Sequence, residues 1–275
     1  MAFAPQNSDL SYWQKQSQPL FPDIAWNIPE QKTGRLAVVG GNSQNFSTVV
    51  RISEFASQNF PFTHVATILP DVLRAKLPPL GNLNFLPSTT SGSLAKSHQL
   101  QLSFVNSDAS LIIGDLSKNS ATAVAILDAI YDKEEIKSPT KPLVLARDTV
   151  DLLANDAARW LVRSNTFVIA SMIQLQKVFR AIYYPRMIML SQPLLPTVET
   201  LHKFTLSYPE ITILTFHQEN IIIANAGKIS TTHIVDTNYS PISLWSGQLA
   251  TTVAALNLYN PQQNFAATTA AVLYN

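Results

Sequence analysis

The sequence contains no cysteine and has few charged residues. The absence of cysteine excludes disulfide bonds, thiolate metal ligands and a cysteine nucleophile. Asp, Glu, Lys and Arg together make up 13% of the 275 residues, about half of the usual ~25%. The formal net charge is +1, so no molecule-wide field favours nucleic acid, anionic lipid or an acidic partner.

Long hydrophobic runs are also missing. Because no stretch of about 18 consecutive apolar residues occurs, we expect no membrane span. The opening residues MAFAPQNSDLSYWQ lack a basic region followed by an apolar stretch, unlike a signal peptide. We therefore expect a cytoplasmic protein. Residues 237–275 carry no charged side chain and are rich in Asn, Gln, Ser and Thr, which predicts a buried element with a neutral polar face.

Apolar runs and helical periodicities alternate along most of the chain. Arg35–Gly40 and Ala109–Gly114 are short apolar runs that end in glycine, which is typical of buried parallel strands. Helical spacing of apolar residues follows them at 47–59 and 117–131. Further strands are predicted at 62–69, 142–146 and 167–170, and further helices at 149–155, 172–183 and 197–207. The alternation predicts right-handed βαβ units and a mostly parallel sheet.

The two ends of the chain differ from this pattern. Three short strands joined by tight turns predict a late β-meander at 211–216, 221–224 and 228–235, and two helices follow at 246–259 and 261–274. Residues 1–33 are polar and proline-rich, with aromatic Trp13 and Trp26. We predict that they form an extended arm that docks through its aromatic side chains, followed by one domain at 34–275. Residues 78–92 are predicted to be an irregular connection.

Four strand–turn segments, taken in order, resemble the ribokinase-like superfamily. They are Leu36–Asn42, Ala109–Gly114, Pro142–Asp148 and Leu244–Thr251. Within this superfamily the chain most resembles the ADP/ATP-dependent NAD(P)H-hydrate dehydratases, which repair damaged nicotinamide cofactors, and the resemblance covers residues 34–275. It implies a three-layer α/β/α fold with a mostly parallel central sheet and a late β-meander. It also implies a nucleotide (ATP or ADP with Mg²⁺) or an NAD(P)-type small molecule as ligand and, by analogy, a homo-oligomer.

The sequence departs from the family where the family carries its chemistry. The family's Gly-x-Gly-Asp turn opens a helix, holds phosphate on backbone N–H groups and supplies the Asp as acid or base. Here the corresponding residues are Ser246, Gly247 and Gln248. An amide cannot accept a proton at neutral pH, so Gln248 is not expected to act as the base, and we assign no catalytic residue.

Two other family segments have also changed. The Asp-Ala-Asp segment reads Ala146-Arg147-Asp148, so that only its second acid remains. The His and Glu of a Thr-Pro-His-x-Gly-Glu turn are replaced by Ser171 and Gln174. The apolar strand positions persist while the polar functional positions are lost, which is typical of a fold that is retained after its chemistry has been relaxed.

Two turns are candidates for binding phosphate or ribose. Ser246, Gly247 and Gln248 start a helix, where backbone N–H groups and the helix dipole favour an anion, although Ser246 is also a plausible plain N-cap. Gly40, Gly41, Asn42 and Ser43 follow a strand and are candidates for a backbone cradle that binds substrate. An ordinary βα turn that needs positive φ is the alternative for these four residues.

Asp115 and Asp148 are the remaining substrate-binding candidates. Each follows a strand end, where open α/β sheets place their ligands, and Asp148 would suit Mg²⁺ or a ribose hydroxyl. The alternative, favoured for Asp148, is that each caps the helix after it, with Ser117 as a rival cap to Asp115. The five histidines show no metal-ligand spacing, so we predict no metal site built from them.

The leading functional hypothesis is a catalytically impaired, ribokinase-like protein resembling NAD(P)H-hydrate dehydratase that retains nucleotide binding or acts as a scaffold. The alternative is an active ATP/ADP-dependent dehydratase or small-molecule kinase whose acid is Asp148 or Asp115. A third hypothesis is a protein-interaction role for the arm and the uncharged C-terminal helices. Nucleic-acid binding is not expected, because five basic residues in the middle of the chain are interpreted as a solvated helix face: Arg159, Arg163, Lys177, Arg180 and Arg186.

Overall fold

The computed structural model describes residues 10–15, 33–78, 81–131, 141–240 and 242–274. Within these residues ten strands form one sheet. They are β1 (Trp13–Lys15), β2 (Arg35–Gly40), β3 (His64–Pro70), β4 (Leu83–Leu86), β5 (Ala109–Gly114), β6 (Leu143–Ala146), β7 (Thr166–Ile169), β8 (Ile211–His217), β9 (Asn220–Asn225) and β10 (Lys228–His233). Their order across the sheet is β1-β10-β9-β8-β7-β6-β5-β2-β3-β4.

Strand β9 is antiparallel to both of its neighbours, β8 and β10, and all the other neighbouring strands are parallel. Strands β8, β9 and β10 therefore form the predicted meander. Because the parallel strands point the same way, their carboxyl ends share one edge of the sheet. Ligands bind along such an edge in open α/β sheets.

The helices cover both faces of the sheet. They are α1 (Ser47–Asn59), α2 (His98–Val105), α3 (Ser120–Ile130), α4 (Asp148–Leu153), α5 (Ala157–Trp160), α6 (Met172–Ala181), α7 (Leu194–Ser207), α8 (Gln248–Tyr259) and α9 (Asn264–Leu273). Helices α1, α8 and α9 contribute to one buried apolar cluster, and α2 to α7 contribute to the other. This arrangement is the predicted three-layer α/β/α architecture.

The strand sequences explain why both faces are covered. In β2, Leu36 and Val38 belong to the cluster under α1 and α8, while Ala37 and Val39 belong to the cluster on the opposite face. All four side chains are at most 1% exposed. Side chains alternate between the faces of a strand, so an uninterrupted apolar run requires a packed layer on each side.

The two uncharged C-terminal helices are buried, as predicted, and several of their polar side chains donate hydrogen bonds inside the protein, although the side-chain oxygen atoms of Asn257 and Asn264 have no partner among the described residues. The side-chain amide of Asn257 donates to the carbonyl of Val253 (2.8 Å) and to Thr268 Oγ1 (3.1 Å). The hydroxyl groups of Ser230 and Thr269 lie 3.1 Å apart. Neutral polar groups that are hydrogen-bonded can be buried at far lower cost than charges, which accounts for the composition of this segment.

Several predicted boundaries and connections were wrong. Residues 78–92 are not wholly irregular, because they contain edge strand β4, whose four residues are too few to give a clear alternation. Helix α2 was missed. Helix α3 starts at Ser120 because the side chain of Asn119 caps it by accepting from the N–H of Thr122 (2.7 Å). The proposed caps Asp115 and Ser117 are therefore both incorrect.

The described part of the N-terminal arm lies against the meander. Strand β1 pairs in parallel with β10, and Trp13 Nε1 donates to Thr231 Oγ1 (3.0 Å). The ring of Tyr12 stacks on His202 with centroids 3.7 Å apart. Trp26 lies outside the described residues, and the division into an arm and a domain stays a prediction. Across the described part of the chain, no helix combines the length and apolarity that a bilayer span requires.

Candidate functional site

The carboxyl edge of the sheet brings the predicted site segments together. The N–H of Gly41, after β2, donates to the carbonyl of Gly114 at the end of β5 (3.0 Å). The side-chain amide of Asn42 donates to the carbonyl of Asp115 (2.5 Å). Segments that lie more than seventy residues apart in the chain thus meet at this edge.

The turn after β2 is held by its own hydrogen bonds. Gly41 has φ +86°, and a Cβ atom on Gly40 would overlap the carbonyl oxygen of Gly114, so this close backbone approach requires glycine. Asn42 Oδ1 accepts from the N–H groups of Gln44 and Asn45 (2.8 and 3.0 Å). These bonds give Asn42 a structural role. Substrate binding by this turn, including Ser43, stays a prediction.

Asp148 closes the turn after β5 and does not act as a helix N-cap. Its Oδ1 accepts from the N–H of Asp115 (2.9 Å). The N-cap of α4 is Arg147, and no side chain caps that position. Asp115 and Arg147 both have positive φ, at 55° and 56°, a conformation that non-glycine residues adopt only when surrounding contacts hold it. The favoured interpretation of Asp148 as a helix cap was therefore wrong.

Arg147 connects three elements of the edge. Its Nη2 lies 3.1 Å from Asp115 Oδ1, and its Nη1 donates to the carbonyl of Trp245 (3.3 Å), just before α8. Its Nε is buried and has no hydrogen-bond partner among the described residues. The guanidinium group thus places a positive charge next to the start of α8.

Helix α8 begins at a glycine and not at the predicted serine cap. Gly247 is the N-cap, with φ +102° and no side chain to bond the first turn. Ser246 Oγ accepts a long bond from the N–H of Gln248 (3.4 Å). A Cβ atom on Gly247 would come within 2.8 Å of Ile113 and 2.9 Å of Ile52, so the backbone lies directly over β5 and α1.

A cavity of about 360 Å³ opens beside Arg147, between α4, α6 and Trp245. Gln174 organises its wall. The Nε2 of Gln174 donates to the carbonyl of Arg147 and to Asp151 Oδ2 (both 2.7 Å), and its Oε1 accepts from the N–H of Ser171 (2.9 Å). Lys177 forms an ion pair with the other oxygen of Asp151. Asp148 also lines the cavity, so its wall carries two cationic side chains, Arg147 and Lys177, and two carboxylates.

Burial raises the pKa of the Asp148 carboxyl above its ordinary value. The N–H of Asp115 bonds the charged form and opposes this shift, the Asp115 carboxylate adds to it, and Arg147 opposes it. The net direction is upward because removal of the carboxyl from water is the largest of these effects.

The described side chains do not form a metal site built from protein ligands alone. Within the described ranges no group of three or more His, Cys, Asp or Glu side chains lies close enough to hold a metal ion. The Asp115 carboxylate is already bonded by the Arg147 guanidinium, so its charge is compensated without a metal ion. We therefore derive no step that passes through a metal.

The raised pKa of Asp148 predicts a pH-dependent gain in stability for Asp148→Asn. The Asp148 carboxyl holds its proton more tightly in the folded protein than in the unfolded chain. The stability that this proton contributes is therefore complete below the unfolded pKa, ~3.9, and is lost as pH rises through the folded pKa. Asparagine still accepts from the N–H of Asp115 but cannot ionise. In urea titrations between about pH 3 and 7, the variant should gain up to about 1.4 kcal/mol per pH unit over wild type within that window. A difference that stays constant with pH would contradict this expectation.

Sequence reasoning assigned no site role to Arg147, Asp151, Lys177 or Trp245. Arg147 carried a signal, since it replaces a small residue of the family segment immediately before Asp148. Lys177 was interpreted as part of a solvated helix face, and its side chain is indeed 52% exposed, yet it lines the cavity. Nothing in the local sequence of Trp245 shows that its carbonyl meets Arg147.

Comparison with known proteins identifies the fold. No protein-family model matches the chain, and no curated protein matches it. A ribokinase-like superfamily protein from Enterococcus faecalis V583 superposes with a TM-score of 0.65 at 14% identity, covering 98% of this chain and 87% of that one. The ADP complex of pyridoxal kinase from Bacillus subtilis superposes with a TM-score of 0.53 at 12% identity, covering 87% and 89%. The fold is therefore ribokinase-like, as the sequence predicted.

Proposed function

We propose that this chain binds a nucleotide of the ADP or ATP class, with its phosphates between the start of α8 and Arg147, and that it is a poor catalyst of group transfer. The observation that carries the proposal is the start of α8 at Gly247, an N-cap residue without a side chain, next to the guanidinium of Arg147. Backbone N–H groups, helix dipole and cation all favour an anion at the same place.

The start of α8 supports phosphate binding through its backbone. The first N–H groups of a helix have no partner within the helix, and Gly247 contributes no side chain that would compete for them. No acidic residue lies in the first turn of α8, so the helix itself adds no carboxylate to those of Asp115 and Asp148 nearby.

Arg147 supports the same assignment through its remaining donors. Two of its nitrogen atoms bond Asp115 and Trp245, and a guanidinium carries five N–H donors in all. Its side chain is 28% exposed and lines the cavity. A phosphate at the mouth of this cavity would be within reach of a cation whose position is already fixed.

Weak catalysis follows from the residue types at the site. Gln248, at the first position of α8, stands where the resemblance to NAD(P)H-hydrate dehydratases places an acid–base Asp. Loss of a positioned general base typically lowers a rate by about 10²–10⁴-fold. The ADP complex of the pyridoxal kinase supports a nucleotide as ligand, while the dehydratase resemblance adds an NAD(P)-type molecule as a candidate.

Thermal unfolding with ADP, ATP and NADPH tests the proposal. A ligand present at 100 times its Kd should stabilise the protein by about 2.7 kcal/mol. Arg147→Gln should weaken ADP or ATP binding by about 10–100-fold, because a charge-assisted hydrogen bond contributes ~1.5–3 kcal/mol. Each variant is compared with its own ligand-free form, so that altered stability does not obscure altered affinity.

Arg163→Gln is the matched control. Arg163 also donates from its guanidinium to backbone carbonyls, those of Lys141 and Ser164 (3.0 and 3.1 Å), but it lies near the amino end of β6. We expect this control to bind ADP as wild type does. Equal losses in both variants, or no shift with any of the three nucleotides, would reject the proposed site.

Turnover measured on the same preparations separates this proposal from an active enzyme. The observation favouring the second candidate is the buried Asp148 carboxyl with its raised pKa beside a cavity, since active-site acids often have such surroundings. An active wild type together with an inactive Asp148→Asn would favour an ATP- or ADP-dependent dehydratase or small-molecule kinase that uses Asp148. Turnover that is low in wild type and unchanged in the variant favours the binding protein.

A further inference from the structure

A second cavity, of about 370 Å³, lies far along α6 from the carboxyl edge, between the end of that helix and the segment that follows it. We name it the α6 cavity, and the residues that line it include Phe179, Arg180, Tyr183, Tyr184, Arg186 and Met187. We propose that the α6 cavity binds a small amphipathic organic anion, with its apolar ring system on the aromatic residues and its acidic group on Arg180 and Arg186. Its volume falls in the lower part of the small-molecule range of roughly 300–1,000 Å³.

The floor of the α6 cavity is built from packed aromatic rings. Phe179 stacks on Phe204 with centroids 4.2 Å apart, and Tyr184 meets both rings edge-on, at 5.0 and 4.9 Å. The facing wall is fixed because Gln176 Nε2 donates to the carbonyl of Ile188 (2.5 Å), whose side chain is fully buried. A rigid apolar floor and wall reduce the ordering that a ligand would otherwise have to impose.

Tyr183 is strained and exposed at the rim. It directly follows Ile182, the C-cap of α6, with φ +54°, and the N–H of Tyr184 donates to the carbonyl of Phe179 (2.8 Å), as in a Schellman motif. Glycine usually takes this position because a side chain makes it costly. Here the position holds a tyrosine that is 92% exposed, beside Met187, which is 70% exposed. Backbone geometry does not explain why a tyrosine occupies a position that favours glycine, whereas a ligand packed against its ring does.

The charges at the cavity select an anion. Among the described residues, Arg180 and Arg186 line the cavity and no acidic residue does. Neither arginine forms an ion pair with any carboxylate that the structure describes. A second copy of the chain is a poor occupant, because a two-fold contact would place each patch against its own equivalent and bring like charges together. An apolar anion satisfies both the rings and the cations.

Fluorescence titration of the full-length protein with anilinonaphthalene sulfonate, an aromatic anion, tests the inference, with neutral N-phenylnaphthylamine as its uncharged counterpart. We expect one sulfonate site per chain. The double variant Arg180→Gln/Arg186→Gln should lower sulfonate affinity at least about tenfold, because charge-assisted contacts are lost, and should change binding of the neutral probe less than about threefold. The control Arg51→Gln removes one exposed cation from α1, on the opposite face of the sheet, and should change neither.

Tyr183→Gly provides an independent test, because a misfolded variant would not combine a higher Tm with a lower probe affinity. Relief of the backbone strain should raise Tm by about 1–2 °C, while loss of the ring should lower affinity for both probes at least about fivefold. Unchanged sulfonate affinity in the double variant or in Tyr183→Gly, or an equal loss in Arg51→Gln, would overturn the inference. A dimer by gel filtration that Tyr183→Gly converts to monomer would overturn it as well, in favour of an interface between copies. All these outcomes are independent of nucleotide binding at Arg147.

Discussion

Gly114→Ala is expected to lower the free energy of unfolding by about 3–5 kcal/mol. Gly114 has φ +92°, a conformation that is disfavoured by about 1–2 kcal/mol for a residue with a side chain. An added Cβ would overlap the Oδ1 of Asp148, at a further cost of about 1–3 kcal/mol for overpacking. Relief of that overlap would break the bond from the N–H of Asp115 to Asp148, at about 1–3 kcal/mol.

Gly81→Ala is the matched control, and urea unfolding followed by circular dichroism is the measurement. Gly81 is exposed, and a Cβ there would meet nothing within 4 Å. The same methyl group should therefore leave stability unchanged or raise it by about 0.4–1 kcal/mol. If Gly114→Ala and Gly81→Ala differ by less than about 1 kcal/mol, the contact between the end of β5 and Asp148 is not as tight as described.

Arg147→Gln is expected to destabilise the protein by about 2–3 kcal/mol, and Asp115→Asn in the same background should recover part of that loss. The side chain of Asp115 is only 12% exposed, so without Arg147 its carboxylate is left largely buried and uncompensated. Breaking a fully buried pair costs about 3–5 kcal/mol, and the 28% exposure of Arg147 moderates this figure. We expect a coupling energy of about 1–3 kcal/mol between the two residues.

A double-mutant cycle on the ion pair between Lys96 and Asp128 is the matched control for the Arg147–Asp115 cycle. Its atoms are closer, at 2.6 Å, but the side chains are 65% and 27% exposed. Exposed pairs typically contribute only about 0.2–1 kcal/mol because water and salt screen them. Unfolding free energies of the single and double variants Lys96→Gln and Asp128→Asn provide the comparison. Equal coupling in the two cycles would show that burial of the Arg147–Asp115 pair has no energetic consequence.

Much of the fold was predictable because its signals are local. The apolar runs at Arg35–Gly40 and Ala109–Gly114 can be buried on both faces only between two layers of helices, and the strands there match the prediction residue for residue. The helix predicted at 47–59 also has the observed bounds. Strand β4 and helix α2 carried weaker patterns, so only their packing against the rest of the protein identifies them.

The sequence alone determined the order of most strands and helices, the covering of both sheet faces and the absence of cysteine chemistry, because periodicity and composition depend on neighbouring residues. Only the tertiary structure decided which groups meet at the carboxyl edge. Asp148 bonds a residue 33 positions away, and Arg147 bonds a carbonyl 98 positions away. Such contacts are fixed by where the sheet places the ends of its strands, and no local pattern records that placement.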